Sequence, residues 1–597
     1  MLKRELSEDT KAFYINRLHK LNEQLTGLHQ KIQIFSWLRL ASFALMIGFI
    51  YGFASTGNTL FLITSFFALI LLTVLVVYHQ QLYNRREKLS VMAEINQNEL
   101  TLLKKESSIF DDGRAFIARL PFADDLDLFG PYSLYQTLNR CSTSFGKGLL
   151  AESLITTPTK ASRILKLQEA IAQMAKKLDF NQETIVSLLL AYRKKDHKEF
   201  VPSEENAVFL FTKPFYKIAR ILLPVLVAFS FVHYLVTANF ALFILNGSVA
   251  FLFAFAQARK MSLLSEEISG FGQALKTYGK LLDSLLKEET QGEVLAEMKS
   301  VAAEASNGMI ELSKISEWFD RRANILLYAL GNLFLMYDIQ LAMRYEQWKR
   351  KYHTQMPEWM LVVGRLEMLI SYGIFNHNHP EFVQPKLTEE PELFANALGH
   401  PLIDADKRIN NDVHLHLDHR LVLVTGSNMS GKSTWLRTLG VNLLLAQAGA
   451  AVCAASFRWK PMPVLSSLRQ SDSLHENTSL FMNELKQLKA ILDQTASGEL
   501  CLILLDEVLR GTNSEDKYTG SHALIQRLVN YNSLVVMASH DLKLSVLEKE
   551  LNGKVVNYCF ESRIENGQLL FDYTIRKGVA VNRNATWLMQ DMGIIDK

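Results

Sequence analysis

No Asp, Glu, Lys or Arg occurs between Arg39 and Arg85, which leaves 45 uncharged residues from Leu40 to Asn84. A second gap of 38 residues runs from Ile221 to Ala258. One bilayer crossing takes about 20 apolar residues. Each gap is therefore long enough for two crossings and a tight turn. The segments ASTGN (Ala54 to Asn58) and TAN (Thr237 to Asn239) supply the turns. The pattern predicts two helical hairpins, roughly 40–55 with 59–78 and 219–236 with 240–257. Pro224 lies near the start of the third helix, where a missing backbone donor costs little, or else it kinks the span. Arg39, Arg85, Arg86 and Lys88 flank the first hairpin, and Lys217, Arg220, Arg259 and Lys260 the second; neither turn carries a basic residue. The positive-inside rule turns the tips outward and keeps both termini and the large segments in the cytoplasm. The expectation is an integral, multi-pass protein of the cytoplasmic membrane, with lipid as one partner. Buried core helices are the competing explanation. Such helices usually carry a polar stripe, whereas these show only scattered Ser, Thr and Gly.

The chain of 597 residues has room for two to four domains. Its 64 basic and 61 acidic residues give a net charge of +3, so no global polycation advertises nucleic acid. Cys141, Cys453, Cys501 and Cys559 lie far apart without CxxC spacing, which argues against a zinc site or a disulfide framework. Cys453 and Cys501 read as small core residues. The start, MLKRELSEDTKAFYINRL, is charged and helix-like and lacks the apolar region of a cleaved signal peptide.

Residues 1–35 read as a cytoplasmic helix, followed by hairpin 1 over 36–84. A helical core part covers 85–215, hairpin 2 covers 216–260, and long lever helices fill 261–392. After Arg85, Leu89, Met92, Leu100 and Leu103 fall on one helical face, with Ile95 and Leu102 towards its edge. PEFVQPKLTEEPEL (Pro380 to Leu393) holds three prolines in a charged stretch and reads as a linker. From 393 to 597 short apolar strands alternate with helices: RLVLVTG, LCLILLDE and SLVVMASH. That alternation predicts a mostly parallel sheet with helices on its faces.

The first of these strands runs into GxxxxGK[ST], met by Gly426, Gly431, Lys432 and Ser433. Glycines there let backbone N–H groups close on phosphate oxygens, and the helix beginning at Lys432 or Ser433 adds its positive dipole end. The cradle comprises Gly426, Ser427, Asn428, Met429, Ser430, Gly431, Lys432, Ser433 and Thr434. Lys432 would reach the β- and γ-phosphates of ATP, and the Ser433 hydroxyl would hold Mg²⁺. Asp506 ends the second strand and would share the metal. Glu507 follows, placed to orient or deprotonate an attacking water. His540, after the third strand, would contact the γ-phosphate region. Ser479 begins an apparent helix with Phe481 and Leu485 on its apolar side. Spacing alone makes it an ordinary capped helix. In ABC-type ATPases such a segment closes on the opposite subunit's nucleotide.

These segments resemble the MutS family of mismatch-repair ATPases. TGSNMSGKST is similar to that family's P-loop, including the Asn428–Met429 pair. LLDEVLRGTNSEDKYTGSHAL is similar to its acidic-strand segment, TSLFMNEL to its trans-acting segment with Ser479, Phe481 and Glu484, and ASHD to its histidine switch. GHPLI and NND resemble the approach to its ATPase domain, which implies adenine contacts near Ile409 and Asn410. More loosely, Tyr132 to Pro158 resembles the start of its helical core and Trp359 to Phe375 its returning lever helix. Three features depart from the family. AFYINRL is not its Phe-x-Glu wedge, Asn477 stands where Gly is usual, and the second hairpin falls where relatives insert a DNA-gripping clamp.

The expected fold is therefore mixed: an α-helical core and lever region with two transmembrane hairpins, plus a C-terminal α/β P-loop ATPase domain of ABC type. The resulting expectation is a homodimer sandwiching ATP and Mg²⁺, with Ser479 acting in trans, Lys432, Glu507 and His540 as catalytic groups, and long helices around 263–372 carrying the motion to the hairpins. DNA and an unidentified cytoplasmic or membrane partner stay open. The alternatives are a membrane-tethered DNA-repair ATPase and an ABC-type transporter.

Overall fold

The computed structural model describes residues 2–119, 124–157, 160–193, 211–468, 480–565, 568–581 and 594–595. Ser479 and Asn477 lie outside the described residues. The chain is mostly helical, with a C-terminal α/β region.

The first two helices are α1 (Leu2–Thr56) and α2 (Thr59–Leu103), packed along each other. The N-terminal helix and the first apolar span are one unbroken element of 55 residues, because nothing between them breaks a helix. The chain reverses at Gly57, whose φ of 66° suits glycine. Asn58 then caps α2 by accepting from Leu60 N at 3.0 Å. Below the charge-free stretch the face of α2 centres on Ile95, which is fully buried, whereas Leu89 and Leu100 are only partly so.

Four short helices follow: α3 (Leu134–Leu138), α4 (Ser144–Ile155), α5 (Ala161–Ala175) and α6 (Leu178–Tyr192). The second apolar region forms α7 (Pro214–Thr237) and α8 (Ala241–Ala256), reversed at Ala238. The lever region comprises α9 (Ala258–Ile268), α10 (Gly272–Lys287), α11 (Glu293–Asp320), α12 (Ile325–Leu335), α13 (Tyr337–Tyr352) and α14 (Met356–Asn378). α1, α2 and α7 are long and apolar enough to cross a membrane. The expected fourth span, α8, reaches that length only together with α9, across a 53° bend. The lever is not simply a set of long helices either. α12 is a short apolar piece bent 84° from α13, and it packs on α7 and α8.

α14 is the buried axis of the helical part and touches α4, α5 and α11. α11 approaches it at Gly308, where an added Cβ would lie 2.3 Å from Trp359 Cη2. Trp348 Nε1 also donates to the Gly308 carbonyl at 2.8 Å. Gly308→Ala should therefore destabilise the helical part by about 1–3 kcal/mol through overpacking. A lowered thermal midpoint with unchanged nucleotide affinity is the expected reading, and an unchanged midpoint would refute the packing argument.

The C-terminal region has two sheets. β1 (Lys386–Leu387), β5 (Ser456–Trp459), β2 (Glu392–Leu398) and β3 (Asn411–His416) form the smaller, in that order. Pro380 to Leu393 is thus no free linker. Val383 bridges Val452, and β1 pairs in parallel with β5. The prolines end the preceding helix but leave Lys386 and Leu387 free to join the ladder. The larger sheet has the order β10 (Gln568–Lys577), β9 (Val555–Glu565), β4 (Leu421–Thr425), β8 (Ser533–Ser539), β7 (Cys501–Asp506), β6 (Val464–Ser467). All its pairs are parallel except β9–β10. β4, β7 and β8 are buried along their whole length, as apolar runs covered on both faces should be. Their covers include α15 (Lys432–Gln447), α16 (Leu480–Thr495) and α17 (Ser514–Leu528), with α18 (Leu547–Glu550) near the end. All four cysteines are buried.

Candidate nucleotide site

Three parallel strands end side by side. β4 delivers the glycine-rich loop, β7 delivers Asp506 and Glu507, and β8 delivers His540. The carboxyl ends of such strands are where open α/β sheets bind ligands. Gly426 takes a φ of 154° and Gly431 one of 106°. A Cβ on Gly426 would stand 2.8 Å from the Phe560 carbonyl oxygen, so only glycine lets the loop turn there. α15 begins at Lys432, and its first N–H groups face the loop's hollow. Met429 sits at the tip with a φ of 65° and is exposed.

Lys432 is buried, and its Nζ donates to the carbonyls of Gly426 at 2.9 Å and Ser427 at 2.8 Å. Burial pushes its pKa below the usual lysine range, against the pull of Asp506 and Glu507. Ser433 Oγ donates to Asp506 Oδ2 at 2.5 Å. The other Asp506 oxygen, Oδ1, is buried without a partner. A hydroxyl beside an orphaned carboxylate oxygen is the donor set a Mg²⁺ ion takes. Ser430 Oγ closes the loop on the Ser427 carbonyl at 2.8 Å.

His540 Nε2 lies 2.6 Å from Asn428 Oδ1 and contacts a Glu507 carboxylate oxygen. Arg510 Nε approaches the other Glu507 oxygen at 3.2 Å. The His540 hydrogen bond, helped by the charges of His540, Arg510 and Lys432, holds the Glu507 carboxyl down at about pKa 2. Glu507 has a φ of 49°, and its N–H is tied to the Ala538 carbonyl at 3.0 Å. Two residues on, Leu509 N donates to Glu484 Oε1 at 2.5 Å. The start of α16 is thereby fastened to the loop that carries Glu507.

A cavity of about 540 Å³ opens over the loop. Asn428, Met429, Ser430, Gly431, Lys432, Ser433, Thr434, Glu507 and Ile409 all line it. Gly426 and Ser427 lie beneath as the acceptors of Lys432, while Asp506 and His540 join through Ser433 and Glu507. Asn410 does not line the cavity. Neighbours in extended chain point to opposite sides, and Asn410 is turned against Gly399. Asn411 takes its place, bonded to Tyr573 O at 3.0 Å and to Ile575 N at 2.8 Å. Sequence reasoning also missed His400, Arg408, Phe560 and Tyr573 in the walls. GHPLI flagged the first by position only; nothing local marks the others. Burial, with the charges of Arg437, Lys105 and Arg408, lowers the His400 pKa to about 4, so that ring is neutral.

The cavity wall is joined to α2. Lys105, just past that helix, is half-buried, and its Nζ donates to the Pro401 carbonyl at 2.9 Å. The neighbouring residues His400, Lys407 and Arg408 line the cavity.

Residues 422–586, which span β4, β7, β8 and the loops above, match the family profile of MutS domain V. The chain is 30% identical over 233 residues to MutS protein homolog 4 of Mus musculus. The same identity and length hold for MutS protein homolog 4 of Homo sapiens. Each alignment takes in 37% of this chain and 24% of the relative, so the chain spans about a quarter of the length of the curated relatives it matches. The C-terminal part of this chain is similar to MutS domain V.

Proposed function

We propose that this chain is a membrane-embedded, MutS-like ATPase that works as a homodimer and couples ATP binding and hydrolysis to movement of its membrane helices. The observation that carries the coupling is α2. It runs unbroken from the outer turn of the first hairpin to Leu103, roughly 65–70 Å at helical rise. Lys105 then grips the loop that walls the nucleotide cavity. A shift of that loop on nucleotide binding moves the hairpin along one stiff rod. The lever helices α11 to α14 run in parallel with this path rather than alone.

The domain scheme keeps hairpin 1 and hairpin 2 in the bilayer, with both termini and the ATPase part cytoplasmic. In the nucleotide part, Lys432 leaves the carbonyls of Gly426 and Ser427 for the β- and γ-phosphates. Ser433 and Asp506 would hold Mg²⁺, which would supply positive charge against the phosphates when bound. The backbone of Ser430 to Thr434 and the α15 N-terminus bind the phosphate chain. Ile409, Tyr573 and His400 flank the base. Glu507 orients the attacking water, and His540, bonded to both Asn428 and Glu507, reports the state of the phosphate end. Ser479 caps the partner's nucleotide and completes each site in the dimer.

The test is the mass of the protein in nanodiscs with and without ATP and Mg²⁺. The wild-type chain should double in mass when both are added. Lys432→Met should stay monomeric and bind ATP about 10–100-fold more weakly, the worth of one or two charge-assisted hydrogen bonds. A chain that remains in solution without detergent, or does not bind ATP, overturns the reading. The match to MutS domain V favours a second reading, a membrane-tethered ATPase acting on branched or mismatched DNA. Duplex affinity falling steeply with salt, with a slope reporting several phosphate contacts, would support that role.

A further inference from the structure

We propose that α12 lies among the acyl chains of the cytoplasmic leaflet, as a half-membrane foot joining the lever helices α11 and α13. This rests on the membrane-embedded reading and adds to it a lipid contact that the two hairpins do not supply. The sequence between Arg322 and Asp338 holds no charged residue, but it is too short for a crossing. Folding gives it a meaning. Ile325 is 81% exposed, Leu326 71%, Leu330 56% and Leu335 57%. The opposite side of α12 packs on the second hairpin. The Phe334 ring lies 6.3 Å from that of Phe231 and 6.4 Å from that of Phe243. The exposed apolar side is thus continuous with the lipid-facing sides of α7 and α8.

Several polar groups at the two ends and in the middle of α12 find partners within the protein, as a water-free surrounding favours. Asn324 Oδ1 accepts from Leu326 N at 3.1 Å and Leu327 N at 3.2 Å at the first turn. At the last turn Gln340 Nε2 donates to the Leu335 carbonyl at 2.7 Å. Asn332, the one amide in the helix, is fully buried and bonds Tyr328 O and Asp338 N. The charges that bracket the helix neutralise each other: Arg322 Nε and Nη2 meet the Asp338 oxygens at 2.8 and 3.0 Å.

The flanks are those of a membrane interface. Arg321 lies over the Trp318 ring at 4.8 Å, and Tyr337 OH donates to the Trp318 carbonyl at 2.7 Å. Aromatic rings and arginines gather at that depth, and the arginines assign the cytoplasmic side. Eleven residues span about 16 Å, close to half of the ~30 Å hydrocarbon layer. Lipid fits this surface better than a second copy. It carries no exposed polar group among its apolar side chains, where a protein interface has a polar rim.

The test places a fluorophore on Leu330→Cys or Leu326→Cys in the full chain, reconstituted in vesicles of phosphatidylcholine and phosphatidylglycerol. Phe67→Cys on α2 serves as the hairpin reference and Glu304→Cys on α11 as the aqueous one. Labels on α12 should be quenched by spin-labelled lipid as at Phe67, with iodide quenching several-fold weaker than at Glu304. Iodide access equal to that at Glu304, with Phe67 still lipid-quenched, sinks this inference and leaves the membrane reading standing. Shielding from both quenchers means protein covers the helix, which also sinks it. A Phe67 label that lipid does not quench removes the membrane reading, and this inference with it.

Discussion

Under the proposed function, Glu507→Gln should slow ATP hydrolysis by about 10²- to 10⁴-fold, the usual worth of a positioned acid–base group, with ATP binding and the proposed ATP-bound dimer retained. The structure explains why this position is sensitive. Glu507 sits in left-handed backbone at the end of a buried strand, so its side chain is aimed by the sheet itself. Its carboxylate is engaged by His540 and Arg510 and held at about pKa 2. A carboxylate in that state orients water by accepting its hydrogen bond, but it is a poor proton acceptor until those partners let go. Glutamine keeps the shape and loses the charge and the second acceptor. Single-turnover hydrolysis and the lifetime of the ATP-bound dimer are the measurements. Undiminished turnover by a monomer would dispose of the mechanism.

Arg140→Met should destabilise the helical part by about 3–5 kcal/mol, because it strands a buried charge. Arg140 and Glu99 are almost wholly buried and meet in a two-pronged pair, Nε–Oε1 at 2.6 Å and Nη2–Oε2 at 2.7 Å. Asn378 Nδ2 donates to the same carboxylate at 2.7 Å, and Tyr14 OH donates to Asn378 Oδ1 at 2.7 Å. Burial, with the Glu99 charge adding, pushes the Tyr14 pKa well up, which keeps its proton in place to donate. This network ties α1, α2 and the end of α14 together through Arg140, just after α3. The thermal midpoint should fall by roughly 6–20 °C. Replacing Glu99 by Met in the same chain should restore much of the loss, since an apolar pair of similar volume leaves no orphan charge. A double variant as unstable as the single one would show that the ion pair is not the source.

What the sequence determined by itself were the features written in contiguous residues. A run of 45 uncharged side chains forces long apolar helices wherever it is placed. Gly426 to Ser433 forces a turn and a helix N-terminus from its own backbone preferences, and the apolar runs before Asp506 and His540 force buried strands. Tertiary structure alone decided which distant segments meet. Tyr573 and Arg408 wall the cavity from opposite sides of the P-loop in sequence, and Lys105 reaches Pro401 across nearly three hundred residues. The merging of Pro380 to Leu393 into a sheet depended on β5, far downstream. α12 was hidden for the same reason. A mostly apolar helix of eleven residues is ambiguous between core and lipid until packing shows which side is left uncovered, because burial is a property of neighbours and not of the residues themselves.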